Sequence, residues 1–203
     1  MNIVFIADFF ADQILGGGEL NNEELINILS SEGHSVEKIN SHAITNEFVE
    51  QKSDHKFIIA NFVNLPHGTK ELFYDKQYII YEHDHKYLST RNPGVFPNFK
   101  APSEHVVNLE FYQNAKAVLC QSVFHTEIAH KNTKRSSRRI IYSDFCNGLP
   151  RANQLSPTSH SANLFSSLES WICLVKSKSV SSWSNILTLP SSLCLNLVSI
   201  DSV

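Results

Sequence analysis

What the chain lacks narrows it first. Its 203 residues include one methionine, two tryptophans and four cysteines. Cys120, Cys146, Cys173 and Cys194 show no C-x-x-C spacing, so no zinc ribbon or thioredoxin-like motif is written here. Unpaired thiols in a reducing cytosol are the simpler expectation, and they place the chain in the cytoplasm. No apolar run reaches the roughly 18 residues of a membrane span, so no transmembrane segment is expected. The start, MNIVFIADFF, lacks the basic stretch of a signal peptide and reads as a first strand. Excess charge is also missing. A formal net of −3 argues against a general nucleic-acid or membrane-surface role.

The familiar phosphate-binding signatures are absent too. ILGGGELNNEE is not G-x-G-x-x-G, because Asn21 stands where the last glycine would fall, and no G-K-[ST] follows. What is present is a glycine-rich turn, Gly16, Gly17 and Gly18, between an apolar run and a helical pattern. Such a turn lets backbone approach a ligand, and the helix start offers N–H groups and partial positive charge to an anion. It can equally be a flexible turn, with Glu19 stabilising the helix start.

The first 132 residues alternate between buried-strand and helix patterns. The apolar runs NIVFIA (2–7), KFIIANFV (56–63), QYIIYE (77–82) and AKAVLCQS (115–122) read as strands covered on both faces. HSVEKIN (34–40) is a shorter one. Helices are expected over 19–33, 67–75, 102–115 and 123–132, with Ser122 capping the last. This alternation predicts an α/β fold: a Rossmann-like, doubly wound parallel sheet. All strand C-terminal ends then share one edge, where such sheets bind ligands. Asp8, the triglycine, Asn61, the segment from Glu82 to His85, and Ser122 fall there.

The segment YEHDHKYLSTRNP poses the sharpest question, since Glu82, His83, Asp84 and His85 crowd the end of a buried strand. Acidic and imidazole groups grip sugar hydroxyls and stabilise developing charge. They also ligate metals, but a metal needs three or four ligands and no further cluster has ligand spacing. No metal and no cofactor is therefore expected. Lys86 and Arg91 could add phosphate contacts, Asn61 and Asn64 could be turn formers, and His125 a surface residue.

NIVFIADFF, GGGE, EGHSV, YEHDH and VLCQSVFHTEI, in that order, resemble the N-terminal half of a GT-B glycosyltransferase of the family-four-like, retaining group. The resemblance spans about residues 1–132. It implies an acceptor-side domain facing a nucleotide-sugar-binding domain across a cleft, with a sugar or lipid-linked acceptor. By motif, Gly16, Gly17, Gly18 and Glu19 would lie at the cleft, and His83 or Asp84 would contact the transferring sugar as the catalytic pair. Asn61, Glu82, His85 and Ser122 complete the expected binding set. Retaining members have no agreed enzymic base, so none is assigned.

Acid is what the remainder lacks. Residues 1–132 carry 10 basic and 17 acidic side chains, whereas 133–203 carry 7 and 3, with 18 serines against 8 before them. Periodicity fails there, and nothing matches the family's donor-domain motifs. An irregular serine-rich tail over 133–203 is expected, its composition fitting a shifted reading frame or a truncated gene joined to unrelated sequence. The leading reading is thus an incomplete glycosyltransferase. The alternatives are a non-catalytic α/β ligand-binding module and a metal-dependent hydrolase built on the H-D-H cluster.

Overall fold

The computed structural model describes residues 1–66, 68–134 and 140–142. Among the described residues six strands form one sheet: β1 (Asn2–Ala7), β2 (Ser35–Asn40), β3 (Lys56–Ile59), β4 (Gln77–Tyr81), β5 (Ala117–Cys120) and β6 (Ile140–Tyr142). Their order is β2-β1-β3-β4-β5-β6 and every neighbouring pair is parallel. The α/β parallel sheet expected from the apolar runs is present. It continues past residue 132, because β6 pairs with β5. The sheet boundary drawn at the change in composition was therefore too early. Residues 143–203 lie outside the described residues.

The helices are α1 (Gly17–Ser31), α2 (Asn46–Gln51), α3 (Leu109–Asn114) and α4 (Val123–Thr133). Strand periodicity of two sorts β1 between two faces. Val4 and Ile6 join the large core with Phe57, Ile59, Tyr78, Ile80, Val118 and Cys120. Ile3 and Phe5, also buried, fall outside that cluster, as do Leu25, Ile26 and Leu29 of α1. Right-handed crossovers explain this split. The chain steps from β1 to β2 in one direction, then reverses past β1 to β3, so α1 and the later helices cover opposite faces. Aromatic packing locks the second face. Phe111 stacks on Tyr78 with centroids 5.1 Å apart and meets Phe62 edge-on at 5.0 Å. Each such contact contributes about 0.5–1.5 kcal/mol beyond burial.

Three local differences have physical causes. α2 was not expected; Thr45 caps it, its hydroxyl accepting from the Phe48 N–H at 3.1 Å. The helix expected over 102–115 is shortened to α3, because Asn108 sits in the left-handed region at φ 56°. The helix expected over 67–75 is a 3-10 turn, Thr69–Phe73, and His67 lies outside the described residues. Among the described residues no helix is long and apolar enough to cross a membrane.

Candidate functional site

Between β1 and β3 the chain turns away to opposite faces, opening the crevice in which sheets of this kind hold ligands. Asp8 directly follows β1 and is 7% exposed. Its carboxylate accepts from the Val63 and Asn64 N–H groups, each at 3.0 Å, and from the Ser41 hydroxyl. It thereby fixes the loop after β3, which carries Asn61.

The triglycine is not required by backbone conformation: neither Gly16, at φ −140°, nor Gly17 or Gly18 adopts positive φ. Close approach does not require it either, since the flexible Glu19 side chain can swing away from Gly16 and the neighbours of Gly18 lie at ordinary contact distance. A Cβ on Gly16 would lie 2.3 Å from Glu19 Oε2, and one on Gly18 would meet His83 Cγ at 3.7 Å and Asn61 Nδ2 at 3.8 Å. Gly17 has nothing among the described residues within 4 Å of its would-be Cβ. Gly16 supplies no side-chain cap to α1, so the first N–H groups of a 15-residue helix lack a side-chain acceptor there. Glu19 turns back, accepting from Asn61 Nδ2 at 3.3 Å. Triglycine, Asn61 and His83 thus occupy one place.

His83 is held on both sides. Its Nε2–H donates to Asn22 Oδ1 at 2.8 Å, and Gln121 Nε2 donates to its Nδ1 at 2.5 Å. This pairing fixes the neutral tautomer. Burial, then the charge of Lys86, pull its pKa down to about 4, outweighing Glu82 and Asp84. Asp84 is engaged by Lys86 and by Arg91 Nη1 at 3.1 Å. Neither member of the expected catalytic pair has its polar atoms idle.

Glu82 corrects the sequence reading most. It was expected among the ligand-binding residues at the sheet edge, yet it is 0% exposed. The Tyr112 hydroxyl, the Asp84 N–H at 2.9 Å and Lys86 Nζ at 3.4 Å all donate to its carboxylate. Burial pushes its pKa up, but Lys86, Tyr112 and His125 prevail and hold it at about 2. Lys86, 3% exposed, is likewise an internal counter-ion and not a phosphate contact. His85, at φ 57°, pairs its Nδ1 with the Tyr87 hydroxyl at 2.6 Å and packs on His125 at 4.2 Å. His125 is buried, not a surface residue, and burial and His85 lower its pKa to about 4. Ser122 caps α4 as expected, its hydroxyl accepting from the His125 N–H at 3.1 Å.

Three buried polar atoms at this edge have no hydrogen-bond partner among the described residues: Asn22 Nδ2, Asn61 Oδ1 and His125 Nε2. Ile14, Leu15, Val63, Phe99, Val123 and Phe124 are all exposed, and all lie in loops or first turns that follow strand C-terminal ends. Sequence reasoning passed over Asn22, Gln121 and Tyr112. Gln121, beside Ser122 at a strand end, carried the one local signal. No group of three or more His, Cys, Asp or Glu side chains among the described residues is placed to hold a metal ion. No protein-family model matches the chain, and no curated protein matches it.

Proposed function

We propose that this chain is the acceptor-side half of a GT-B glycosyltransferase that moves a sugar from a nucleotide-sugar donor to a sugar or lipid-linked acceptor. The observation that carries the reading is the meeting of Gly18, Asn61 and His83 in the crevice beside β1. In this reading the uncapped start of α1 faces the donor diphosphate, where helix N–H groups and the positive helix end favour negative charge. The open backbone at Gly17 admits a phosphate without a steric barrier. Glu19 and Asn61 accept and donate to sugar hydroxyls. His83 stays neutral and Asp84 stays paired with cations, so they position the 82–91 loop and do not carry a proton. The exposed apolar side chains in the segments after the strands suit a second body closing over the crevice, which would exclude water and strengthen each polar contact.

One observation favours a second reading, a binding module without catalysis: both His83 nitrogens and the Asp84 carboxylate are already engaged within the protein. Calorimetric titration of the full chain with uridine, guanosine and adenosine diphosphate sugars separates the two. Binding with transfer to a polyprenyl phosphate acceptor supports the transferase. Binding without turnover supports the module. Heat from none of the three defeats both. Gly17→Val should abolish the binding while the far-ultraviolet dichroism stays unchanged.

A further inference from the structure

Glu19 and His83 determine which end of two crevice amides is left over. A carboxylate only accepts, so Asn61 turns Nδ2 toward Glu19 and keeps Oδ1 free. Asn22 accepts the Nε2–H of His83 on Oδ1 and keeps Nδ2 free. Both free atoms are buried, and among the described residues neither has a hydrogen-bond partner. Asn22 itself is 0% exposed. Buried polar groups in folded proteins are paired as a rule, because an unpaired one is costly. Gly18 decides what can reach these two. Asn22 lies one turn further along α1, so both positions share a helix face, and helix side chains lean toward the N-terminus. Position 18 has no side chain, so the space that Asn22 leans toward is open. A Cβ placed there would meet His83 Cγ at 3.7 Å and Asn61 Nδ2 and His83 Cδ2 at 3.8 Å. Those are ordinary contacts, so one group about the size of a methyl fits without any shift.

We propose that the slot beside Gly18 takes a single hydroxyl of the transferred sugar, which accepts from Asn22 Nδ2 and donates to Asn61 Oδ1. This rests on the transferase reading and adds Asn22 to it as a specificity-determining residue. A hydroxyl matches the slot in size and in carrying both a donor and an acceptor. A phosphate or carboxylate oxygen would face Asn61 Oδ1 with no proton between them. An ammonium would face Asn22 Nδ2 with no lone pair to offer. A methylene would leave both amides unpaired.

The test titrates the full chain with uridine diphosphate glucose, guanosine diphosphate mannose and adenosine diphosphate glucose, then with every monodeoxy form of the sugar that binds. Loss of one particular hydroxyl should weaken binding at least about tenfold more than loss of any other, since it strands two buried partners. Gly18→Ala fills the slot with a methyl, and its backbone is not in the left-handed region, so the fold is kept. It should weaken the parent sugar about tenfold and leave the affinity for the sensitive deoxy form unchanged. A general structural defect would weaken both. Asn22→Asp keeps an oxygen for His83 but loses the free N–H, and should show the same selective loss. The slot is overturned, with the transferase reading left standing, if all monodeoxy forms bind alike, if Gly18→Ala leaves the parent sugar's affinity unchanged, or if it weakens parent and deoxy forms equally. Heat from none of the three donors overturns both.

Discussion

Glu82 shows how much a single buried carboxylate can organise. Tyr112 lies 30 residues along and Lys86 four, yet both end at the same two oxygens. Removing one partner leaves the other charged and stranded in low dielectric, at a typical cost of about 3–5 kcal/mol. Lys86→Met should therefore lower urea-unfolding stability by roughly that amount. The double variant Glu82→Gln, Lys86→Met should recover part of the loss, because no buried charge remains. A Lys86→Met protein as stable as the parent would mean that water reaches Glu82. Asp84 contrasts with it: its side chain is 42% exposed, and Asp84→Ala should cost no more than about 1 kcal/mol. The same reasoning separates fold from ligand at Gly17. Among the described residues nothing obstructs a Cβ there, and its φ is not positive. Gly17→Ala should raise stability by about 0.4–1 kcal/mol through reduced unfolded-chain entropy. In the proposed function it should weaken diphosphate binding, so calorimetry and unfolding curves move in opposite senses.

At the scale of elements, local pattern and long-range partnership part company. β1, β3, β4 and β5 are continuous apolar runs because both faces are covered, and that much is legible in sequence. So is the Ser122 cap, whose partner His125 is three residues away. The His83 environment is not legible, because Asn22 comes from α1 and Gln121 from the end of β5. Nothing within a few residues of His83 announces either. Glu82 misled for the same reason: a charge at a strand end reads as solvent-facing unless its distant partners are known. α2 was missed although Thr45 and Glu47 form an ordinary helix start, because six residues are too few to show a period. Asp8 makes the element-scale coupling testable. Asp8→Ala removes the acceptor for two loop N–H groups and should cost about 1–3 kcal/mol. Amide exchange should accelerate at Val63 and Asn64 well before it does in β1. Uniform acceleration across the sheet would show instead that Asp8 supports the whole domain.

For the whole molecule, the consequence of placing three histidines around one buried ion pair is a dependence on acidity. His83, His85 and His125 face Glu82, Asp84 and Lys86, and burial keeps all three imidazoles below their ordinary pKa. The sign follows from which state takes up protons first. Unfolded histidines titrate near 6.5, whereas His83 and His125 in the fold titrate at about 4. Below pH ~6.5 the unfolded chain binds protons that the native state refuses, so stability falls. That loss runs down to about pH 4, and each of these two histidines contributes a slope of up to ~1.4 kcal/mol per pH unit. Glu82 then takes over in the same direction. Its pKa is about 2 in the fold against 4.5 ordinarily, so its contribution is present above 4.5 and lost as pH falls toward 2. Urea unfolding at successive pH values between 7 and 4 should show a steady decline from about 6.5 downward. His83→Gln and His125→Gln should each flatten that decline by roughly 1 kcal/mol per pH unit, because glutamine has no proton to gain. A stability curve flat from pH 7 to 5 would mean that these imidazoles open to solvent with the loop that carries them, and the buried network would then not be the unit that holds this edge of the sheet together.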